Sequence, residues 1–424
     1  VSLPASGGFF VARDHDEGDR VTVTERSGSA LSQIPKGVWA LGFVSMLMDI
    51  SSEMIHALFP LYLFTVLGTS MVTVGIIEGI AEATASITKI FSGALSDWIG
   101  KRKLLAAIGY GLAAFTKPVF PLATTIGWLV VARFVDRVGK GIRGAPRDAL
   151  VADISPTHLR GASFGLRQSL DTVGAFLGPL LAIVLMWWTV DNFQAVFWVA
   201  VIPGFLAVAL IVYTVPEPER PARLRKVRNP LSLAEVKVMG PAYWAVVAIG
   251  VVFTLARFSE AFLVLRAQNV GVPIMWVPAV MVVMNVVYAF AAYPAGVLSD
   301  RTNRVVPLKL GLGLLIAADV VLALVPTFAG VAVGVVLWGL HMGFTQGLFA
   351  TLVADTSPPE LRGTAYGFFN LFTGLAMLAA SIIAGVLWDV SGPKGTFLAG
   401  AAFALFSFVG VALIGARMTR VAVE

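Results

Sequence analysis

Between residues 133 and 148 the chain carries Arg133, Asp136, Arg137, Lys140, Arg143, Arg147 and Asp148, mostly three or four residues apart. At 100° per residue this spacing gathers them into one broad helical stripe. A second cluster places Asp49, Ser52, Glu53 and His56 on one helix face, the carboxylates at i and i+4 and the imidazole three residues on. Three chemistries suit it: the carboxylates can carry a proton, the oxygen and nitrogen donors can hold a divalent metal, or the group can pair with the cations of the 133–147 stripe. Glu78, Glu82 and Lys89 share a further face and offer counter-charges, with Glu78 placed as a relay candidate. Arg257 lies one turn before Glu260, which suits a local ion pair, and Ser259-Glu260 echoes Ser52-Glu53. Arg167 and Asp171 fall on one stripe with Gly174 and Gly178, with Pro179 following, while His341, Thr345 and Gln346 are the polar groups of a late apolar run.

The elements that must position these groups follow from composition. Of 424 residues, 57% are hydrophobic and 13% charged, against about 25% charged in ordinary soluble domains. The net charge of +6 does not indicate nucleic acid, because the basic residues sit in short segments between apolar runs and form no single soluble face. Cysteine is absent, which excludes disulfides and thiolate metal sites. Apolar runs of membrane-crossing length recur from Val38 onward. Twelve helical spans are expected, at 37–66, 71–93, 102–122, 125–149, 160–187 and 192–215, then at 240–267, 272–298, 305–326, 329–354, 362–387 and 394–417. A charge facing lipid at mid-membrane costs about 2.5–3.5 kcal/mol even on the lenient insertion scale. The seven charges of the fourth span must therefore line a wet cavity or pair with one another, those nearest its end excepted.

Lys and Arg collect in alternate connections: Lys101, Arg102 and Lys103; Arg160; Arg220 to Arg228; Arg301 and Arg304; Arg362; Arg417 and Arg420. By the positive-inside rule these connections and both termini are cytoplasmic. The domains expected are a cytoplasmic tail at 1–36, a six-helix bundle at 37–215, a Pro-rich basic linker at 216–239, a second six-helix bundle at 240–417 and a tail at 418–424. Trp187, Trp188 and Trp388 fall near predicted helix ends as interfacial anchors, whereas Trp128, Trp338 and Phe369 suit deeper positions.

The chain also repeats itself. LVADISPTHLRGASFG at 150–165 and LVADTSPPELRGTAYG at 352–367 agree at ten of sixteen positions with an offset of 202, and GALSD at 93–97 returns as GVLSD at 296–300. The halves read as copies in the same orientation. Here the chain resembles the major facilitator superfamily over all twelve spans. Gly93, Asp97, Gly100, Lys101 and Arg102 match that family's signature for the loop between spans 2 and 3, and Asp300 with Arg301 forms a weaker second copy lacking the second Gly. The resemblance implies a conformational latch at these residues. It also implies a proton-transfer role for Arg133, although the Gln common three residues later is Asp136 here, which opens the option of a private Arg133–Asp136 pair. Gly174, Gly178 and Pro179 resemble the fifth-span motif of proton-exchanging exporters, ending in Ala182 where the fuller motif has Gly.

The fold expected is thus an all-α membrane protein of two parallel-repeat six-helix bundles. The function expected is a secondary active transporter of the cytoplasmic membrane, working by alternating access as a proton-coupled exporter and as a monomer. Asp49, Glu53, Arg133 and Asp136 are the expected proton-coupling residues. His56, Glu78, Arg137, Lys140, Arg167, Asp171, Glu260, His341 and Gln346 are expected around the substrate. Other readings are a divalent-metal exporter using Asp49, Glu53 and His56, an organic-anion transporter using the cationic stripe, and a sensor or scaffold that transports nothing. The expected partners are a small-molecule substrate, protons and the lipid bilayer, with no cofactor and no nucleic acid. No Walker motif, paired-His metal motif or nucleophile elbow points to an enzyme.

Overall fold

The computed structural model describes residues 33–99, 101–156, 159–217, 237–302, 305–345, 348–358 and 361–420. Gln346 and Gly100 lie outside the described residues, as do the side chains of Asp97, Asp300 and Arg301. Among the described residues every regular element is helical. This is the expected outcome for apolar segments whose backbone polar groups must be satisfied within the chain itself.

The first half comprises α1 (Lys36–His56), α2 (Phe59–Thr65), α3 (Met71–Ile99), α4 (Arg102–Thr116), α5 (Val119–Leu122), α6 (Ile126–Ile154), α7 (Arg160–Trp188) and α8 (Phe193–Thr214). The second comprises α9 (Pro241–Ala256), α10 (Ala261–Asn269), α11 (Ala279–Arg301), α12 (Val305–Leu324), α13 (Phe328–Thr345), α14 (Leu348–Thr356) and α15 (Arg362–Arg420). Several predicted spans are broken helices. Pro60 sits in the first turn of α2, and Pro118 precedes α5; proline cannot donate to the preceding turn, so each marks a restart. The break between α9 and α10 has no proline and instead carries Arg257 in a non-helical conformation.

Ten helical stretches among the described residues are long and apolar enough to cross a membrane. One of them, Thr364–Leu413, has 50 residues and as a straight helix would run about 75 Å, more than twice the roughly 30 Å of hydrocarbon. It folds back at Gly392, whose φ of 70° and ψ of −174° suit only glycine. Across the bend Thr396 Oγ1 donates to the Ala384 carbonyl at 2.9 Å, a contact impossible along a straight helix. The charged helix α6 is 29 residues long.

Helix neighbours repeat between the halves. In the first, α1 packs on α7 and α8, α6 on α3 and α4, and α4 on α8. In the second, α9 packs on α15, α13 on α11 and α12, and α12 on α15. The halves meet where α3 lies against α15 and α7 against α11, with α2 touching α10. The α3–α15 seam is backbone to backbone: a methyl on Gly75 would fall 2.2 Å from the Ser381 carbonyl oxygen, and one on Gly385 2.5 Å from that of Met71. At its end the Asp389 carboxylate accepts from the Met71 and Val72 N–H groups at 3.1 and 3.0 Å. These are first-turn donors of α3 with no intrahelical acceptor, so a residue of one half caps a helix of the other.

Large apolar side chains such as Phe115, Leu122, Phe290, Phe406 and Leu413 are exposed around the outside. An apolar perimeter on this scale suits lipid and not water. Trp187 and Trp188 are exposed at the end of α7, as their interfacial assignment requires. Two other aromatic placements are corrected: Trp388 is buried against Phe262 and Phe397, and Trp128 is 60% exposed, whereas Trp338 is fully buried.

Candidate functional site

The polar faces of α1, α3 and α6 converge inside the first half. Arg133 Nη2 lies 2.8 Å from Glu78 Oε2, and His56 Nε2 approaches the same oxygen at 3.6 Å while its Nδ1 faces Glu53 Oε2 at 3.4 Å. One turn along α6, Asp136 Oδ1 lies 2.8 Å from Lys117 Nζ, which also donates to Ser52 Oγ at 3.0 Å. Arg137 Nη1 reaches Glu82 Oε1 at 3.2 Å, with its Nε 3.9 Å from Asp136 Oδ2. Two arginines also stack on aromatic rings: Arg133 over Phe59 at 5.6 Å and Arg143 over Tyr110 at 5.0 Å. Toward the end of α6, Arg147 and Arg167 share Asp148 and Asp171 at distances of 2.7 to 3.6 Å. Arg147 also donates to Ser45.

The optional Arg133–Asp136 pair does not form. The two residues diverge by about 60° around the helix: Arg133 points at α3, and Asp136 at the end of α4. Lys117 is the partner that sequence reasoning passed over. Its signal was available, since it is the one charge inside the apolar run 104–122.

A cavity of about 430 Å³ opens beside this network, between the two halves. Asp49, Glu53, Glu82, Lys89, Lys140, Arg143, Arg147 and Asp171 line it from the first half, and Asn285 and Tyr288 line it from α11. Lys140 and Asp171 are thus the expected substrate residues that border it, along with Asp49 and Glu53. Asp49, Lys89 and Lys140 border it without an ion pair or side-chain hydrogen bond among the described residues. Glu78, Arg137 and His341 are buried away from it, and His56 and Arg167 stand behind its wall, held by Glu53 and Asp171. Arg257 and Glu260 pair locally at 3.7 Å. Among the described residues no group of three or more His, Asp or Glu side chains is arranged to hold a metal, so Asp49, Glu53 and His56 do not form the ligand set considered above.

The glycines of α7 position the α1 carboxylates. A methyl on Gly174 would lie 2.9 Å from Asp49 Cβ and 2.7 Å from the Met46 carbonyl oxygen. One on Gly178 would lie 2.7 Å from Glu53 Cβ and 2.9 Å from the Ile50 carbonyl oxygen. Pro179 follows within the same helix. Gly178→Ala is therefore expected to destabilise the protein by about 1–3 kcal/mol through overpacking, read as a lower melting temperature of the purified variant; an unchanged melting point would speak against this contact. Near the α3–α4 connection, Gly93 in the last turns of α3 faces Ala145 of α6, Lys101 is exposed, and Arg102 Nη1 at the start of α4 donates to the Ala149 carbonyl and Asp153 at 2.9 Å each, tying α4 to α6.

Comparison with known proteins agrees with this architecture. The family model described as Major Facilitator Superfamily matches residues 41–381. An uncharacterised MFS-type transporter of Methanocaldococcus jannaschii is 32% identical over 390 residues, covering 88% of this chain and 94% of the relative. The inner membrane transport protein YajR of Escherichia coli is 24% identical over 386 residues, covering 87% and 81%. Among solved structures, a POT family transporter in complex with a thioalcohol-conjugated peptide aligns with a TM-score of 0.76 at 13% identity, over 91% of this chain and 97% of that one. At that identity the likeness concerns the fold alone. With its duplicated helical halves, a charged cavity between them and a family model spanning most of its length, the chain belongs to the major facilitator superfamily and is a membrane transporter, not an enzyme.

Proposed function

We propose that this transporter is a proton-coupled exporter of a small solute, with twelve spans, both termini cytoplasmic, located in the cytoplasmic membrane and acting as a monomer. The observation that carries this reading is the juxtaposition of the cavity with the Glu53–His56–Glu78–Arg133 chain, which leads from a cavity-lining carboxylate to a fully buried one. Such a chain can pass a proton between a wet site and a dry one as the halves rock, with His56 set between two carboxylates and Arg133 as a fixed positive charge on the buried one. The α7 glycine motif, which resembles that of exporters, supports the direction. The glycine and basic residues around Gly93, Gly100, Lys101 and Arg102, with Asp97 and the copy at Asp300 and Arg301, serve as the cytoplasmic latch.

Purified protein in proteoliposomes, assayed for substrate-dependent proton flux across anions, cationic drugs and divalent metals, tests this. Glu53→Gln and Arg133→Ala are each expected to reduce coupled flux about a hundredfold or more, the scale of a lost proton-transfer group, without preventing insertion. Wild-type flux in both variants refutes the assignment, and solute movement without proton movement refutes the coupling.

A further inference from the structure

The internal repeat places two residues of opposite charge at one structural position. Lys117 and Asp319 are separated by 202 residues, the offset of the repeated LVAD segments, and so are Asp136 and Trp338. The surroundings correspond as well. A methyl on Gly204 of α8 would meet Ser51 Oγ at 3.0 Å and Lys117 Cγ at 3.6 Å. A methyl on Gly400 of α15 would meet Asp319 Oδ2 at 2.5 Å and Phe258 Cε1 at 2.9 Å. In the first half this position holds a closed ion pair, Lys117 with Asp136. In the second half the acid stands where the base stood, and the position that would hold its partner is an indole.

Asp319 is completely buried, and neither carboxyl oxygen has a hydrogen-bond partner. No cation pairs with it among the described residues. On α13, Trp338 is fully buried with its Nε1 also unpartnered and its ring 5.7 Å from that of Phe258, and His341 lies 6.2 Å from the Trp338 ring. On α10, Arg266 reaches the helix that carries Asp319, three residues beyond it, where its Nε donates to the Leu322 carbonyl while its Nη1 donates to Asn269. Gly400 of α15 lies against the carboxyl, and Phe258 closes the site, its ring edge-on or tilted to those of Phe262, Trp338 and Phe397 at 5.5 to 5.7 Å. His341 Nδ1 donates to the Gly311 carbonyl at 2.9 Å, which leaves Nε2 as a buried acceptor with no donor. A bare carboxylate in this aromatic cage would lack any compensation for lost water.

We propose that Asp319 is a proton-carrying site of the second half, separate from the central cavity. In the conformation described here its carboxyl holds a hydrogen. On release the O–H bond breaks, the electron pair stays on the carboxylate and the proton passes to water admitted at the α9–α10 break, where Phe258 covers the acid. That Asp319 carries a proton stands independently of the coupling proposed above; only the use of that proton rests on it.

The test is infrared difference spectroscopy on the full-length protein in lipid, reading the carbonyl stretch of protonated carboxyl groups. Wild type is expected to show a band near neutral pH that shifts in D2O and titrates reversibly. Asp319→Asn is expected to lose this band, Asp319→Glu to move it, and Glu53→Gln to keep it. Because an amide and a neutral acid have the same shape, the Asn variant is expected to fold, and the Glu variant keeps the test decisive if it does not. A band unaltered in both Asp319 variants, no such band in wild type, or a band blind to D2O overturns the proposal. Failure of proton flux in proteoliposomes with these infrared results intact overturns the coupling reading alone.

Discussion

Lys117→Met is expected to destabilise the protein by about 3–5 kcal/mol, the usual consequence of leaving one member of a buried ion pair without its partner. Asp136 is buried and sits 2.8 Å from Lys117 Nζ, with Arg137 a weaker neighbour at 3.9 Å. The double variant Lys117→Met with Asp136→Leu is expected to recover most of the loss, since well-packed apolar replacements of buried pairs are often neutral or better. Melting temperatures of the two single variants and the double, purified in one detergent, give the coupling directly. If the losses simply add, the pair contributes no mutual stabilisation and Lys117 is held by Ser52 and packing alone.

The second large effect concerns the seam between halves. Gly75→Leu puts a branched side chain where even one methyl would lie 2.2 Å from the Ser381 carbonyl oxygen. Backbone cannot yield as a flexible side chain does, so α3 and α15 must separate at that end. Transport is expected to fall to the background of empty liposomes. The chain contains no cysteine, so Ser381→Cys introduces a single thiol at a fully buried position. That thiol is expected to resist a membrane-impermeant maleimide in the otherwise unchanged protein and to react in the Gly75→Leu background. Equal labelling in both would show that the seam does not close this end.

Much of this architecture was legible in the residues. The apolar runs, the offset of 202 and the stripe from Arg133 to Arg147 follow from composition and periodicity, because bilayer thickness and helix geometry leave few alternatives. The pairing within the stripe was not legible. Whether Arg133 meets Asp136 or Glu78 depends on how α6 is rotated against α3 and α4, and adjacent turns of one helix face different neighbours. Lys117 was hidden for a related reason: one lysine among apolar residues near a proline reads as the edge of a span until packing carries it inside. Trp388 and Trp128 exchanged roles because proximity to a helix end does not say which side of the helix meets lipid. Asp389 gave no local cue, since its acceptors' donors lie more than 300 residues away along the chain.

Among the described residues, each ion pair sunk in the membrane joins groups of a single half. Contacts from half to half are of another kind: glycines against carbonyls, the Asp389 cap, and Asn285 Nδ2 donating to the Ala175 carbonyl at 3.3 Å. When one bundle tilts against the other, its strongest electrostatic bonds ride along undisturbed, like fittings bolted inside a moving cabin. What would have to part at each swing is close apolar and backbone packing along α3–α15 and α7–α11, with the Asp389 cap as its one charged contact among the described residues, so the heavily ionised centre need not be dismantled for the halves to move.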